Sequence, residues 1–237
     1  MNPRIDPDEV ETILEEMIPL LEEPAEKDPT FSGNVKIGNK IISSVPEQKI
    51  SYMNNLGVFT DRGIIILSEE LDADSYSQFL HAFLYLQGDP TNEKITLILN
   101  TPGGDMMYMF SIYDLIQSSK KPIRVLGTGE IASAGVLLLA CCHERIVMEN
   151  TVLMSHEGSF GMEGKFSEAT ERMKWIKWIE GRWAELMAKH TKHNERYWKN
   201  LGKKKAEFWV LGGQAIVKEG VADRVATEED FKEIYGS

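Results

Sequence analysis

Two hydrophobic periodicities organise this chain. From Gly63 onward, short runs of consecutive apolar residues alternate with segments whose apolar positions recur every three or four residues. Unbroken apolar runs suit strands buried on both faces, and helical segments between them suit crossover connections. The pattern predicts an α/β fold on a parallel sheet. Expected strands are Ile64–Leu67, Ile95–Leu99, Ile123–Leu126 and Ile146–Met148, with Val152–Met154 close behind; expected helices cover about Asp74–Leu86, Met106–Ser118 and Ala132–Cys142. A long helix is expected over 166–189, then a basic stretch at Lys203–Lys205 and one or two short helices after Gly213.

In the long helix, Met173, Ile176, Ile179, Trp183 and Leu186 form one stripe, while Trp175 and Trp178 lie well off it. Apolar surface on two sides wants two partners. Burial within one subunit would satisfy it, but the Lys, Arg and Glu residues among the tryptophans favour an interface between subunits.

The first 60 residues behave differently. Over 1–30, Asp6-Pro7 supplies a cap and a favoured first helical residue, and Val10, Ile13, Leu14, Met17, Ile18 and Leu21 make an apolar stripe. This predicts an acidic amphipathic N-terminal extension, closed by Pro24 and Pro29. Residues 31–60 form a connecting segment, unassigned or a hairpin, with strand-like positions at Val35, Ile37, Ile41 and Ile42. Residues 61–237 then form the main domain.

Length and charge narrow the function. The 237 residues are 42% hydrophobic, enough for a sizeable core, and the net charge is −11. Ten acidic side chains against Arg4 and Lys27 put −8 of that charge on residues 1–29. An acidic surface disfavours nucleic acid, whose phosphates are gripped by Lys and Arg. No apolar run approaches the ~20 residues of a membrane helix, and no basic, greasy secretory signal opens the chain. The expectation is a cytoplasmic protein with no membrane partner. Cys141 and Cys142 are adjacent, so they make no disulfide framework, and Cys141-Cys142-His143 gives no spacing that wraps a metal ion; no metal is expected.

Three features lie where α/β proteins place chemistry, at the C-terminal ends of strands. Asn100-Thr101-Pro102-Gly103-Gly104-Asp105 follows a strand and precedes a helix; paired glycines can aim backbone N–H groups at an oxyanion, and the Lys and Ser/Thr of a phosphate-binding loop are missing. Gly127-Thr128-Gly129-Glu130-Ile131-Ala132 matches a dinucleotide fingerprint, with Glu149 beyond it. The competing reading of that stretch puts Ser133 at a helix start among small residues, with its hydroxyl accessible and the next N–H free. His156, at the end of Val152–Ser155, is the histidine best placed for a general base.

Taken together, these residues resemble the proteolytic subunit of the Clp protease family, from about Gly63 to Val225. Asn100-Thr101-Pro102-Gly103-Gly104 is similar to the family's N-S-P-G-G, Ile112-Tyr113-Asp114 matches a tripeptide of the next helix, and Ser133 stands in an A-S-x-G context. Met154-Ser155-His156 is similar to the motif of the family base, Glu185–Thr191 to the end of the long handle helix, and Gln214-Ala215 with Glu219–Asp223 to the closing motif.

The resemblance implies a ClpP-type, crotonase-like subunit and a serine endopeptidase that cleaves unfolded polypeptides or short peptides through an acyl-enzyme. Ser133 would be the nucleophile and His156 the base. The backbone N–H groups of Gly104 and Ala134 would form the oxyanion hole, and Gly158, Ser159, Phe160 and Gly161 would bind substrate as an added strand. It implies rings of seven copies, normally two stacked face to face, working with an AAA+ Clp-type unfoldase or with other ClpP-like subunits. This subunit would need no cofactor; ATP would be used only by the unfoldase. The sequence departs from the family at two places. Gly158 replaces a proline after the base, and the position of the third triad member, an Asp in the family, is Glu207, with Asn200 as runner-up. Two other functions share parts of this pattern: a catalytically weak ring subunit that scaffolds or regulates a partner, and an acyl-CoA enzyme of the crotonase type.

Overall fold

The computed structural model describes residues 34–37, 40–43, 58–59, 62–158, 165–204 and 207–235, and the chain divides into two compact units, 1–49 and 50–237. In the first unit, β1 (Asn34–Ile37) and β2 (Lys40–Ser43) pair antiparallel, with Val35 opposite Ile42. This matches the hairpin alternative for that stretch. The expected N-terminal helix lies outside the described residues.

The second unit is built on a mixed sheet of β3 (Val58–Phe59), β4 (Ile64–Leu67), β5 (Ile95–Thr101), β6 (Ile123–Ala132), β7 (Glu144–Val147), β8 (Val152–His156), β9 (Glu207–Leu211) and β10 (Arg224–Val225). Strands β4, β5, β6, β7 and β10 are parallel neighbours, and β3 adds an antiparallel edge. The helices α1 (Ala73–Gly88), α2 (Met106–Ser118) and α3 (Gly135–Ala140) make the crossovers. Beyond them come α4 (Phe166–His190), α5 (Glu195–Lys204), α6 (Gly213–Glu219) and α7 (Glu228–Tyr235). No helix of the described residues is long and apolar enough to cross a membrane.

Period-two alternation explains the unbroken apolar runs. Ile65 and Leu67, Leu97 and Leu99, and Ile123 and Val125 point into the main core beneath the helices. Their alternates Ile64, Leu126 and Ile146 form a second cluster with Ile234 of α7, joined by Ile66 and Ile98. Both faces of the sheet are therefore covered, so polar residues on it need partners. Arg124, only 4% exposed, donates to Glu233 on α7 at 2.7 Å and to Thr96 at 3.1 Å.

Two strand ends differ from expectation. β5 continues to Thr101, and β6 continues to Ala132, so the helix expected from Ala132 is confined to Gly135–Ala140. β6 changes neighbours along its length: Arg124–Gly127 pairs with β7, and Glu130–Ala132 pairs with β8. The change falls at Gly129, whose φ of +55° suits glycine, and Asn100 Oδ1 accepts the Glu130 N–H at 3.0 Å. β8 thereby leaves the main sheet and pairs antiparallel with β9 on its other side.

The long helix forms over Phe166–His190, one residue beyond its expected end. Ile176, Ile179 and Leu186 are buried, whereas Trp175 and Trp178 are 48% and 56% exposed. The two-sided character read from the sequence is thus present, with the second side about half exposed among the described residues and the Trp178 ring resting partly on Phe110.

Candidate active site

Ser133 follows the last residue of β6 and sits at φ +52°, the sole non-glycine residue at positive φ among the described residues. Such a conformation costs about 1–3 kcal/mol and persists only where the surroundings hold it. Here the holding is visible: the Ser133 N–H donates to the Met154 carbonyl at 2.7 Å, tying the turn to β8, and its carbonyl accepts from Val136 at 3.2 Å. The side chain is lifted out of the β6 ladder as a result.

Two residues beyond Met154, at the end of β8, stands His156. Its Nε2 lies 2.8 Å from Ser133 Oγ. With the imidazole proton on Nδ1, the hydroxyl donates to Nε2, the geometry by which a base takes a proton from a nucleophile. The pair opens onto a cleft of about 260 Å³. Ala134, Ile179, Trp183 and Trp198 give the cleft an apolar wall, and Lys177 and Glu180 are among its charged lining residues.

The glycine turn lies against the same backbone. Gly103 has φ +95°, and a Cβ there would sit 2.7 Å from Ser133 Cβ and 3.1 Å from the Ala134 nitrogen. Gly104 forms an isolated parallel bridge to Leu71, in which Leu71 N–H donates to Gly103 O at 2.7 Å and Asp105 N–H donates to Leu71 O at 2.8 Å. Those bonds use the groups on either side of Gly104, so its own N–H points away from Leu71. Among the described residues, neither the Gly104 nor the Ala134 N–H donates to a protein acceptor. The turn itself is fixed by Thr101, whose hydroxyl donates to Glu69 O at 2.6 Å and accepts from Gly103 N at 3.1 Å.

The remaining expected site residues fall as follows. Gly158 is exposed, with open space where a Cβ would project. Ser159, Phe160 and Gly161 lie outside the described residues. Glu207 is directly opposite His156 in the β8–β9 ladder, but its Oε2 accepts from Trp209 Nε1 at 2.9 Å and no hydrogen bond joins it to the imidazole. Asn200 lines a separate cavity with Tyr197 and Leu201, away from the cleft that holds Ser133 and His156. The dinucleotide alternative fails on geometry. Gly127 and Gly129 lie within strand β6 rather than on a strand-to-helix turn, and a Cβ on Gly127 would meet Ile131 Cδ1 at 2.6 Å.

A Ser-His contact at strand ends, beside the undonated N–H groups of Gly104 and Ala134, is an arrangement suited to acyl transfer. A comparison with protein families finds that residues 47–229, more than three-quarters of the chain, match the Clp protease model. The chain belongs to the Clp protease family. The match begins before Gly63, so it reaches into the 31–60 segment that the motif reading left outside. Membership makes peptide-bond hydrolysis by a serine peptidase the family chemistry against which this site is judged.

Sequence reasoning missed three contributors. Thr101 is visible in retrospect, because a Thr before Pro-Gly is a local turn signal in which the hydroxyl caps the N–H two residues on. Asn100 carries no such signal, since its partner Glu130 is set by strand register; Trp209 is two residues from Glu207 on β9, a same-face spacing that only the assignment of that strand reveals.

Proposed function

We propose that this protein is a serine endopeptidase subunit of a self-compartmentalising ring protease. The observation that carries the reading is the 2.8 Å contact between Ser133 Oγ and His156 Nε2. Ser133 attacks the substrate carbonyl while His156 takes its proton, and the tetrahedral oxyanion forms against the N–H groups of Gly104 and Ala134. His156 then returns the proton to the leaving amine, and water releases the acyl group by the reverse sequence. Glu207 is the carboxylate assigned to stabilise the imidazolium, given its place opposite His156. The segment at Gly158–Gly161 receives unfolded polypeptide as an added strand. Copies of the chain assemble through the α4 face bearing Trp175 and Trp178, as a ring of seven that receives substrate from an AAA+ unfoldase; the subunit itself uses no cofactor.

The test is covalent labelling by a fluorophosphonate together with peptide hydrolysis. Wild type should label at Ser133, and Ser133→Ala and His156→Ala should lose turnover on the order of 10³-fold or more, since such residues act as a unit. Unchanged hydrolysis by Ser133→Ala sinks the assignment. One observation favours the second reading, a weakly active ring subunit: the Glu207 carboxylate is bonded to Trp209 rather than to His156. Intact rings that fail to label would support that reading.

A further inference from the structure

The strand pair that carries His156 also carries a side chain that competes for its neighbour. In the β8–β9 ladder, His156 is opposite Glu207 and Met154 is opposite Trp209. Opposed residues project from one face of a sheet, as do residues two apart along a strand. Imidazole, carboxylate and indole therefore share a face. Burial agrees: Leu153, Ser155 and Val210 are buried on the other face, whereas Glu207 and Trp209 are exposed.

His156 Nε2 is engaged by Ser133, which leaves Nδ1 to donate to an orienting acceptor. Opposed Cβ atoms lie about 4.5–5.5 Å apart, a gap that a glutamate can close without backbone movement. Glu207 does not close it; its Oε2 holds the Trp209 N–H at 2.9 Å instead. One carboxylate thus faces two N–H donors, and the indole has it. Glu157, Lys177, Glu180 and Lys199 are the other charged side chains that line the cleft with His156, and none bonds to the ring.

We propose that Trp209 is a positioning residue that draws the Glu207 carboxylate off His156, so that the indole bond must open before the carboxylate can orient the imidazole. This rests on the reading of Ser133 and His156 as nucleophile and base. The exchange is pulled forward by the chemistry: as the ring takes the serine proton it becomes cationic, and a bond with both partners charged outweighs one with a single charged partner. The indole is 43% exposed, so water can take its N–H when the carboxylate leaves.

Trp209→Phe removes the donor and keeps an aromatic ring; Trp209→Gln returns a donor without adding a titrating group. The readouts are the fluorophosphonate rate constant at Ser133 as a function of pH, and the His156 imidazole titration followed by NMR. Trp209→Phe should react about 3- to 10-fold faster on the plateau, the worth of one modest hydrogen bond. It should also raise the imidazole midpoint by about one pH unit, because a nearby carboxylate favours the charged ring. Trp209→Gln should move both back toward wild type, and adding Glu207→Gln to Trp209→Phe should erase the gain. A gain that survives in the double variant, or a Trp209→Phe protein with unchanged or lower rate and midpoint, overturns the proposal. If wild type itself does not label, the peptidase reading fails, and the imidazole titration alone then decides the role of Trp209.

Discussion

A single methyl group at Gly103 should disturb the Ser133 site more than at any other position of the turn. The added Cβ would lie 2.7 Å from Ser133 Cβ and 2.8 Å from the Ala132 carbonyl oxygen, where ordinary contact begins at 3.4 Å. The two backbones must separate by roughly 0.6–0.7 Å to relieve it. Neither moves freely, since Ser133 is bonded to Met154 O and Gly103 N to Thr101 Oγ1. The φ of +95° adds strain of about 1–3 kcal/mol for an L residue. Misplacing reacting groups by about 1 Å costs on the order of 10²-fold in rate, so Gly103→Ala should slow fluorophosphonate labelling about 10- to 100-fold. A cost of 1–3 kcal/mol in a domain of this size should lower Tm by roughly 3–10 °C. The paired assays are the second-order labelling rate and thermal unfolding. Labelling within twofold of wild type at unchanged Tm would refute the close approach of the glycine turn to Ser133.

The strain at Ser133 is separable from its chemistry: Ser133→Gly should be more stable than Ser133→Ala by about 1 kcal/mol in urea unfolding, because glycine accepts φ +52° without a Cβ penalty. Replacing both Trp175 and Trp178 with Asp should give smaller, still folded species by native mass, as both side chains are about half exposed, although the Trp178 ring also touches Phe110. Burial, with Lys189 and Arg145 alongside, holds the His190 imidazole below the usual histidine range, while its Nε2 lies 3.0 Å from the Tyr113 hydroxyl. A depressed histidine stabilises the fold above its unfolded pKa of about 6.5, and that contribution is lost as pH falls through the lower folded value. His190→Gln should therefore lose less stability than wild type in urea unfolding as pH drops below about 6.5.

Much of this arrangement can be read from local sequence, and the unread part has a common cause. The strands were legible because a sheet covered on both faces demands unbroken apolar runs such as Ile64–Leu67. The second half of β6 was not, because Gly127-Thr128-Gly129-Glu130 has the composition of a turn. It is extended because Asn100, 30 residues earlier, caps Glu130 and β8 supplies a new neighbour. Ser133 and His156 were legible as motifs, though motifs carry no distance. Glu207 was legible by position, but its place directly opposite His156 was not, since that depends on the register of two strands separated by α4 and α5; its bond to Trp209 is local, between residues two apart on β9.

The Ser-His contact and the carboxylate beside it are consequently held by different kinds of bond. Ala132 is aligned with Met154 in the ladder, Ser133 N donates to Met154 O, and His156 follows two residues later on the same strand. Main-chain hydrogen bonds of a buried sheet thus set where the hydroxyl and imidazole meet, and changing that meeting would require part of the sheet to open. The Glu207 carboxylate is held by one side-chain bond on an exposed face, which can exchange at little cost. Variation in activity among conditions should then arise on the carboxylate side of His156, where a change of one partner alters the basicity of the ring while leaving the serine in place.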